Sequence, residues 1–349
     1  MDKRQLELKQ WIPQSFQQLG WGLDSCWRLL PVSGDASFRR YFRVITDGGS
    51  WIAVDAPPDK EDSHPFVAIA RAWESLAIHS PHVHSVDFEQ GFMLLSDLGD
   101  ELYLDHLDEG TADGLYGLAL DALLHIQQCQ SINGQPFPPY DRSLLQREME
   151  LFRDWFIEQL LSIKLSLAEQ TVVDEAFEQL IQSALAQPQV CVHRDFHSRN
   201  LMVTGKNSPG VIDFQDAVWG PVSYDLVSLL RDCYIDWPKS RVQAWALRYF
   251  ERATEAGIFE QQSQDCLLRW FDLMGMQRHL KAVGIFARLN IRDDKPDYLD
   301  DIPRTLSYLV DISGDYPEFA EFNGLLCQKL LPAMAASEYF PAAVLESLA

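Results

Sequence analysis

Apolar positions in the first hundred residues come in short runs, and those beyond recur with a helical period, which predicts a strand-rich beginning followed by helices. Leu6, Leu8, Trp11, Ile12, Phe16 and Leu19 form a partly helical pattern that ends near Gly20, a leading helix packed on the first lobe. Leu29, Leu30, Pro31 and Val32 give an extended run, and residues 38–44 (FRRYFRV) give a second. Asp47, Gly48 and Gly49 read as a hairpin turn into a third strand, residues 50–56. A helix is expected over residues 65–79, and residues 91–95 read as a buried strand that passes into a polar connector, residues 96–100. Downstream, Leu115, Leu118, Ala119, Ala122, Leu123 and Ile126 fall on one face of a core helix. Further helices are expected over residues 143–156, 167–186, 224–234, 240–256 and 270–289, with closing helices after residue 298. In the strongly apolar helix 270–289, Gln277, Arg278, His279 and Lys281 form a polar cluster that is either exposed or turned toward an acceptor cleft.

The clearest chemistry lies in residues 190–216, VCVHRDFHSRNLMVTGKNSPGVIDFQD. A short apolar run ends abruptly in the polar loop 193–200, as a buried strand does when it delivers functional groups to a cleft. Two further apolar runs flank the turn-rich residues 205–210, and the simplest folding is a hairpin in which Thr204 faces Val211 and Asp213 faces Met202. Asn200 then lies diagonally across from Asp213, roughly 7–8 Å away between backbone positions. An amide oxygen and a carboxylate so placed can share one hard cation, and magnesium takes few protein carboxylates and keeps its waters and substrate phosphates. Asp195 precedes this pair on the same loop and suits a different role, as the base or orienter of an acceptor hydroxyl. An Asp and an Asn at such spacing also mark ordinary turns, but their joint placement at strand ends, with a second Asp after a hairpin, favours phosphoryl transfer. His193 is expected to brace the loop.

Between the first two strands, Ser33, Gly34, Asp35, Ala36 and Ser37 have the make-up of a turn that lies over nucleotide phosphates with N–H and hydroxyl donors. Such a loop has a negative ligand to gather, and the chain as a whole is acidic: 51 Asp and Glu against 29 Lys and Arg give a formal charge of -22. That balance argues against nucleic acid or an anionic membrane as partner, and leaves local cations and a metal to attract ATP. At 349 residues and 47% hydrophobic content the chain suits two lobes with a buried core. Its six cysteines are scattered without zinc-like spacing and read as reduced thiols. The amino terminus lacks a signal-peptide pattern and no stretch is long enough to span a bilayer, so a cytoplasmic location is expected.

The string HRDFHSRN fits H-x-D-x-x-x-x-N, and Asp213-Phe214-Gln215 falls where the kinase D-F-G begins, so the chain resembles the protein-kinase-like superfamily. That resemblance implies an α+β, bilobal fold with a small antiparallel-sheet lobe, residues 1–97, and a larger, mostly helical lobe, residues 98–349. Gln215 replaces the glycine and no A-P-E element follows, which points to a small-molecule acceptor. GPVSYDLVSLL, residues 220–230, is similar to the aminoglycoside phosphotransferase family, in which the metal Asp is soon followed by an Asp leading a helix; Asp225 fills that position. The same resemblance implies ATP and Mg2+ as cofactors and places Ser96 and Leu98 in the hinge that meets the adenine edge. The third strand carries Asp55 where most such folds have a lysine, which leaves Arg39, Arg40 or Arg43 to contact phosphate. Glu74 matches the partner glutamate by order alone and is expected to be solvated.

Finally, SGDASFRRYFR, VDAPPDKED, LLSDLGD, HRDFHSRNLM, GVIDFQDAVWGPVSYDLVSLLRDCY and LMGMQRHLKAVGIFARL together resemble the bacterial anomeric kinases of N-acetylmuramate and N-acetylglucosamine in peptidoglycan recycling, over nearly the full chain. An acidic residue in the third strand belongs to that pattern. The resemblance implies ATP-dependent transfer to the anomeric hydroxyl of an amino sugar. A carboxylate on that sugar would favour an arginine, with Arg199, Arg231, Arg278 and His279 as candidates, and Trp219 is a candidate for stacking on the sugar face. The competing readings are an aminoglycoside or choline-like kinase and a nucleotide-binding pseudokinase scaffold; oligomeric state stays open.

Overall fold

A computed structural model describes residues 2–32 and 38–340, so the expected phosphate loop, Ser33, Gly34, Asp35, Ala36 and Ser37, lies outside the described residues. The chain forms two units, Met1–Pro136 with Arg199–Asp216, and Phe137–Ser198 with Ala217–Ala349. The division therefore differs from a single break at Asp97. The hairpin inside Arg199–Asp216 is tied into the first unit by backbone bonds, Val203 N–H to Glu101 O and Val211 N–H to His79 O, both 2.7 Å.

In the first unit, helix α1 (Lys3–Gln18) precedes an antiparallel sheet. Among the described residues the sheet has strands β1 (Arg28–Pro31), β2 (Arg40–Thr46), β3 (Gly49–Asp55), β4 (Val83–Asp87) and β5 (Phe92–Ser96), in the order β1-β2-β3-β5-β4. Side chains two apart point to the same face, so Phe42, Val44, Ala53, Phe92 and Leu94 line one side and bury against Leu8, Trp11, Ile12 and Phe16 of α1. Val54 and Met93, on the opposite face, are buried too, which explains why the central strand reads as a continuous apolar run. Gly91 has a left-handed φ of 72°, and a Cβ there would stand 1.9 Å from Ala56 O, so only glycine fits the entry to β5.

Helix α2 (His64–Glu74) follows β3 and buries Phe66, Val67, Ile69, Ala70 and Trp73. After β5 come the short helix α3 (Tyr103–His106) and α4 (Ala112–Gln127). The buried face of α4 carries Tyr116, Ala119, Leu120, Leu123, Leu124 and Gln127, whereas Leu118 is 44% exposed, so the packed stripe is rotated from the expected one. The unit is completed by β7 (Leu201–Met202) and β8 (Gly210–Val211).

The second unit is helical around a small two-stranded sheet. Helix α5 (Arg142–Leu151) runs on into a π-helical stretch, Phe152–Leu160, and is followed by α6 (Leu167–Leu185), whose capping box is Ser166 with Glu169. Strand β6 (Gln189–Val192) pairs antiparallel with β9 (Val218–Pro221). Next come α7 (Tyr224–Leu230), α8 (Lys239–Glu255), the 30-residue α9 (Gln264–Asp293) and α10 (Ile302–Asp315). Helix α9 is the core of this unit. At Gly284 a Cβ would lie 2.3 Å from the Leu151 carbonyl carbon, so the absent side chain is what lets α9 meet the end of α5. Among the described residues no helix is long and apolar enough to cross a membrane.

Candidate active site

Strand β6 ends at Val192, and the loop that follows is pinned at both ends by buried aspartates. At its start Asp225, the second residue of α7, accepts the N–H of His193 at 2.7 Å and of Arg194 at 3.0 Å. Farther along, Asp232 Oδ2 accepts Ser198 N–H at 3.0 Å and its hydroxyl at 2.6 Å. Burial raises Asp225 to about 7, against the pull of the two N–H donors that favour its charged form. His193 is fully buried and its Nδ1 accepts the Asp195 N–H at 3.2 Å, the bracing role expected of it.

Asp195 itself is half-buried. Burial alone would raise its pKa, but the charges of Lys281, His197, Arg194 and His193 outweigh that and hold the carboxyl down at about 2. The cations are fixed in turn by Glu148 on α5, which is only 5% exposed. Its Oε1 takes Arg194 at 2.5 Å and Lys281 at 3.4 Å, while Tyr140 donates its hydroxyl to Oε2. Lys281 also donates to the Tyr224 hydroxyl at 3.0 Å. Burial pushes Glu148 up, yet Lys281 and Arg194 leave it below its ordinary value. Sequence reasoning missed Glu148, Tyr140 and Asp232. It did flag Lys281, whose whole cluster, Gln277 to His279 included, is buried rather than exposed.

The chain leaves the second unit after Ser198, and the remaining polar pair belongs to the first. The hairpin register is Leu201 opposite Val211 and Met202 opposite Gly210, so Thr204 does not face Val211 and Asp213 does not face Met202. The connection is longer than a tight turn because Val203 pairs with Glu101 and the Thr204 hydroxyl bonds Lys206 O at 3.0 Å. The corrected register still brings the pair together: Ile212 N–H meets Asn200 O at 3.1 Å, and Asn200 Nδ2 lies 3.4 Å from Asp213 Oδ2. Asp213 has a left-handed φ of 65°, and Gln215 donates to its Oδ1 at 2.8 Å. Phe214 is fully buried against Phe66 and Trp73 of α2, with ring centroids 4.7 and 5.0 Å away.

Among the described residues no group of three or more His, Cys, Asp or Glu can hold a metal ion. One carboxylate and one amide at 3.4 Å nevertheless suit a hard ion that keeps most of its waters.

The sequence model of the Phosphotransferase enzyme family matches residues 28–259, about two thirds of the chain. The chain belongs to the Phosphotransferase enzyme family. The N-acetylmuramate/N-acetylglucosamine kinase of Pseudomonas putida is 44% identical to this phosphotransferase over 331 residues, 94% of the chain and 97% of that protein. The Pseudomonas aeruginosa protein of the same name is 45% identical over 329 residues, 93% of the chain and 96% of that protein. Among solved structures, Plasmodium vivax ethanolamine kinase aligns with a TM-score of 0.59 at 12% identity, covering 89% of the chain and 90% of its own. An ADP-bound aminoglycoside phosphotransferase aligns at 0.53 and 15% identity, covering 88% and 98%. These structures share the fold.

The remaining expected site residues of this phosphotransferase divide clearly. The Arg43 guanidinium is bound by Asp97 at 2.7 Å, Asp100 at 2.6 Å and Gly99 O at 3.1 Å, and so braces the connector after β5. Arg40 is similarly taken by Asp2 and Asp55, and Asp55 also holds Arg4, so the third-strand acid ties α1 to the sheet. Arg39 is 4% exposed, pairs with Glu61 at 3.3 Å and lies 5.7 Å over the Phe66 ring that stacks on Phe214. Glu74 is exposed and meets His82, as expected of a solvated residue. The Ser96 hydroxyl accepts from His82 N–H at 2.9 Å, whereas the backbone of Leu98 makes no hydrogen bond among the described residues.

A cavity of about 480 Å³ is lined by Asp97, Leu98 and Gly99 together with Lys206 and Asn207. It lies at the turn end of the hairpin, away from the end that carries Asn200 and Asp213.

Of the acceptor candidates, Arg199 falls in the first unit and the others in the second. Trp219 is half-buried in β9, with its backbone bonded to Pro138 O and Tyr140 N–H at 2.8 Å each. Arg231 is committed to Asp272 at 2.5 Å. His279 is fully buried, stacks on Tyr308 and bonds Arg231 O at 3.0 Å through Nε2. Burial lowers it to about 3, so it is neutral and offers no charge to an acceptor carboxylate.

Proposed function

We propose that this protein transfers the γ-phosphoryl group of ATP to the anomeric hydroxyl of N-acetylmuramate and N-acetylglucosamine, giving the sugar 1-phosphate. The observation that carries this reading is the 44% and 45% identity, over more than nine tenths of the chain, to relatives named for those two sugars. The chemistry of the loop supports it. A carboxylate held near a pKa of about 2 is a weak base, so Asp195 orients the hydroxyl and receives its proton late, as a loose phosphoryl transition state requires. An anomeric hydroxyl, more acidic than an ordinary alcohol, suits so weak a partner.

Asn200 and Asp213 hold Mg2+ in this reading, with Gln215 keeping the Asp213 carboxylate aimed. The bound ion neutralises charge on the phosphates. Arg39, linked through the Phe66 and Phe214 rings to the residue beside Asp213, supplies the phosphate contact that a third-strand lysine gives elsewhere. The backbone of Leu98 meets the adenine edge. Asp55, engaged with Arg4 and Arg40, is a sheet anchor, which removes the motive for reading the chain as an inactive scaffold.

The test is direct. Purified protein with magnesium and ATP is given each sugar, and the product is identified by phosphorus NMR. An anomeric phosphate is expected from both. Phosphate at another hydroxyl, or turnover of cationic alcohols with none of the sugars, overturns the reading.

A further inference from the structure

The buried cations around the Asp195 loop have counter-ions, with one exception. Arg194 and Lys281 share Glu148, and Arg231 takes Asp272. Arg278 is as deeply placed, only 6% exposed, yet among the described residues it forms no ion pair with a carboxylate. Its one hydrogen-bonding neighbour is the Cys233 sulfur, 3.6 Å from Nη1. A guanidinium stays charged wherever it is put, and a buried charge without a partner is costly to a fold. The guanidinium therefore has hydrogen-bonding capacity left for an anionic ligand.

The position says which ligand. Arg278 and Lys281 stand three residues apart on α9 and share a face of the helix, and Lys281 binds Tyr224 and Glu148 beneath the loop. The carboxylates of Asp232 and Asp195 act on Arg278 through space without a direct ion pair, so its charge is offset while its hydrogen-bonding fork stays open. Taking the two-sugar reading above, on which this inference rests, the acceptors differ in one group: N-acetylmuramate carries a lactyl ether ending in a carboxylate where N-acetylglucosamine has a hydroxyl. We propose that Arg278 receives the lactyl carboxylate and is the residue that sets preference for the acidic sugar over the neutral one. The fork of the guanidinium matches a carboxylate in two parallel hydrogen bonds. Because that carboxylate is remote from the reacting hydroxyl, the contact acts on binding, and its loss appears in KM.

The test compares wild type, Arg278→Met and Arg278→Lys on both sugars, with thermal melting beside the kinetics. For Arg278→Met, kcat/KM on N-acetylmuramate is expected to fall roughly 100-fold, mostly through KM, while N-acetylglucosamine stays within about threefold. Arg278→Lys keeps the charge without the fork and should lose about tenfold on the acidic sugar alone. Melting of Arg278→Met should move little, because no direct ion pair is lost with the guanidinium. An equal loss on both sugars, whether from misfolding or from a role in phosphoryl transfer, overturns the proposal if Arg278→Lys shows it too, and so does an unchanged preference. Wild type inactive on both sugars would instead remove the two-sugar reading, and this inference with it.

Discussion

Asp213 and Asp195 are both half-buried carboxylates, and their surroundings could hardly differ more. Asp213 sits at the end of a short hairpin and takes contacts from two side-chain amides, Asn200 at 3.4 Å and Gln215 at 2.8 Å. Asp195 sits on a loop tied down by buried Asp225 and Asp232, beside Arg194 and Lys281, which Glu148 holds in place. Amide donors aim a carboxylate without neutralising it, which suits a group proposed to hold a cation. A ring of cations instead fixes the charge state of the group proposed to aim the acceptor hydroxyl. The comparison teaches that function and stability are separable at the hairpin and fused at the loop.

The largest expected effect that sharpens this contrast is at the hairpin. Asp213→Ala should lower kcat by about 1,000-fold, since the proposed magnesium would lose its one protein carboxylate, while melting temperature barely moves. At the loop the order reverses. Glu148→Ala removes the buried carboxylate that pairs with both Arg194 and Lys281 and should cost about 3–5 kcal/mol of stability in denaturant unfolding. If Glu148→Ala melted like wild type, the cage would not be what holds the loop.

A smaller effect comes from His279. Its folded pKa of about 3 lies below its ordinary 6.5, so the unfolded chain binds the extra proton between those values. The stabilising contribution is whole above pH 6.5 and is lost as pH falls toward 3. Between pH 7 and pH 5 this group should cost about 2 kcal/mol, and His279→Gln should lose correspondingly less over the same interval. Equal slopes for the two proteins would contradict a neutral, buried imidazole. The smallest effect belongs to Gln215→Ala, which removes one hydrogen bond from Asp213 and should raise the magnesium needed for half-maximal rate by about threefold to tenfold.

Residues close in sequence were legible and those brought together from afar were not. Asp195, Asn200 and Asp213 lie within one short stretch, and strand ends with a turn between them fix their spacing locally. The same local logic misplaced the hairpin register, because Val203 pairs with Glu101, a contact that residues 200–213 cannot reveal. The partners of Arg43 were out of reach for a related reason: Asp97 and Asp100 are more than fifty positions away. Glu148 and Tyr140 carry no motif at all, and matter because α5 packs on α9 beside Lys281. The one distant signal was Lys281 and its neighbours, polar side chains in a helix otherwise apolar on every face, and it pointed to the cluster without naming the partners. Leu118 shows the limit of periodicity, which finds the helix and half of its buried face, Ala119, Leu123 and Ile126, but places that face slightly off.

The account rests most directly on the division of labour between Asp195 and the hairpin pair, and one substitution tests it. Asp195→Asn keeps the size and most hydrogen bonds of the side chain and removes its charge. Measured with N-acetylmuramate as acceptor, kcat should fall by about 1,000-fold while ATP affinity and melting temperature hold. Turnover near the wild-type rate in a well-folded Asp195→Asn protein would contradict it.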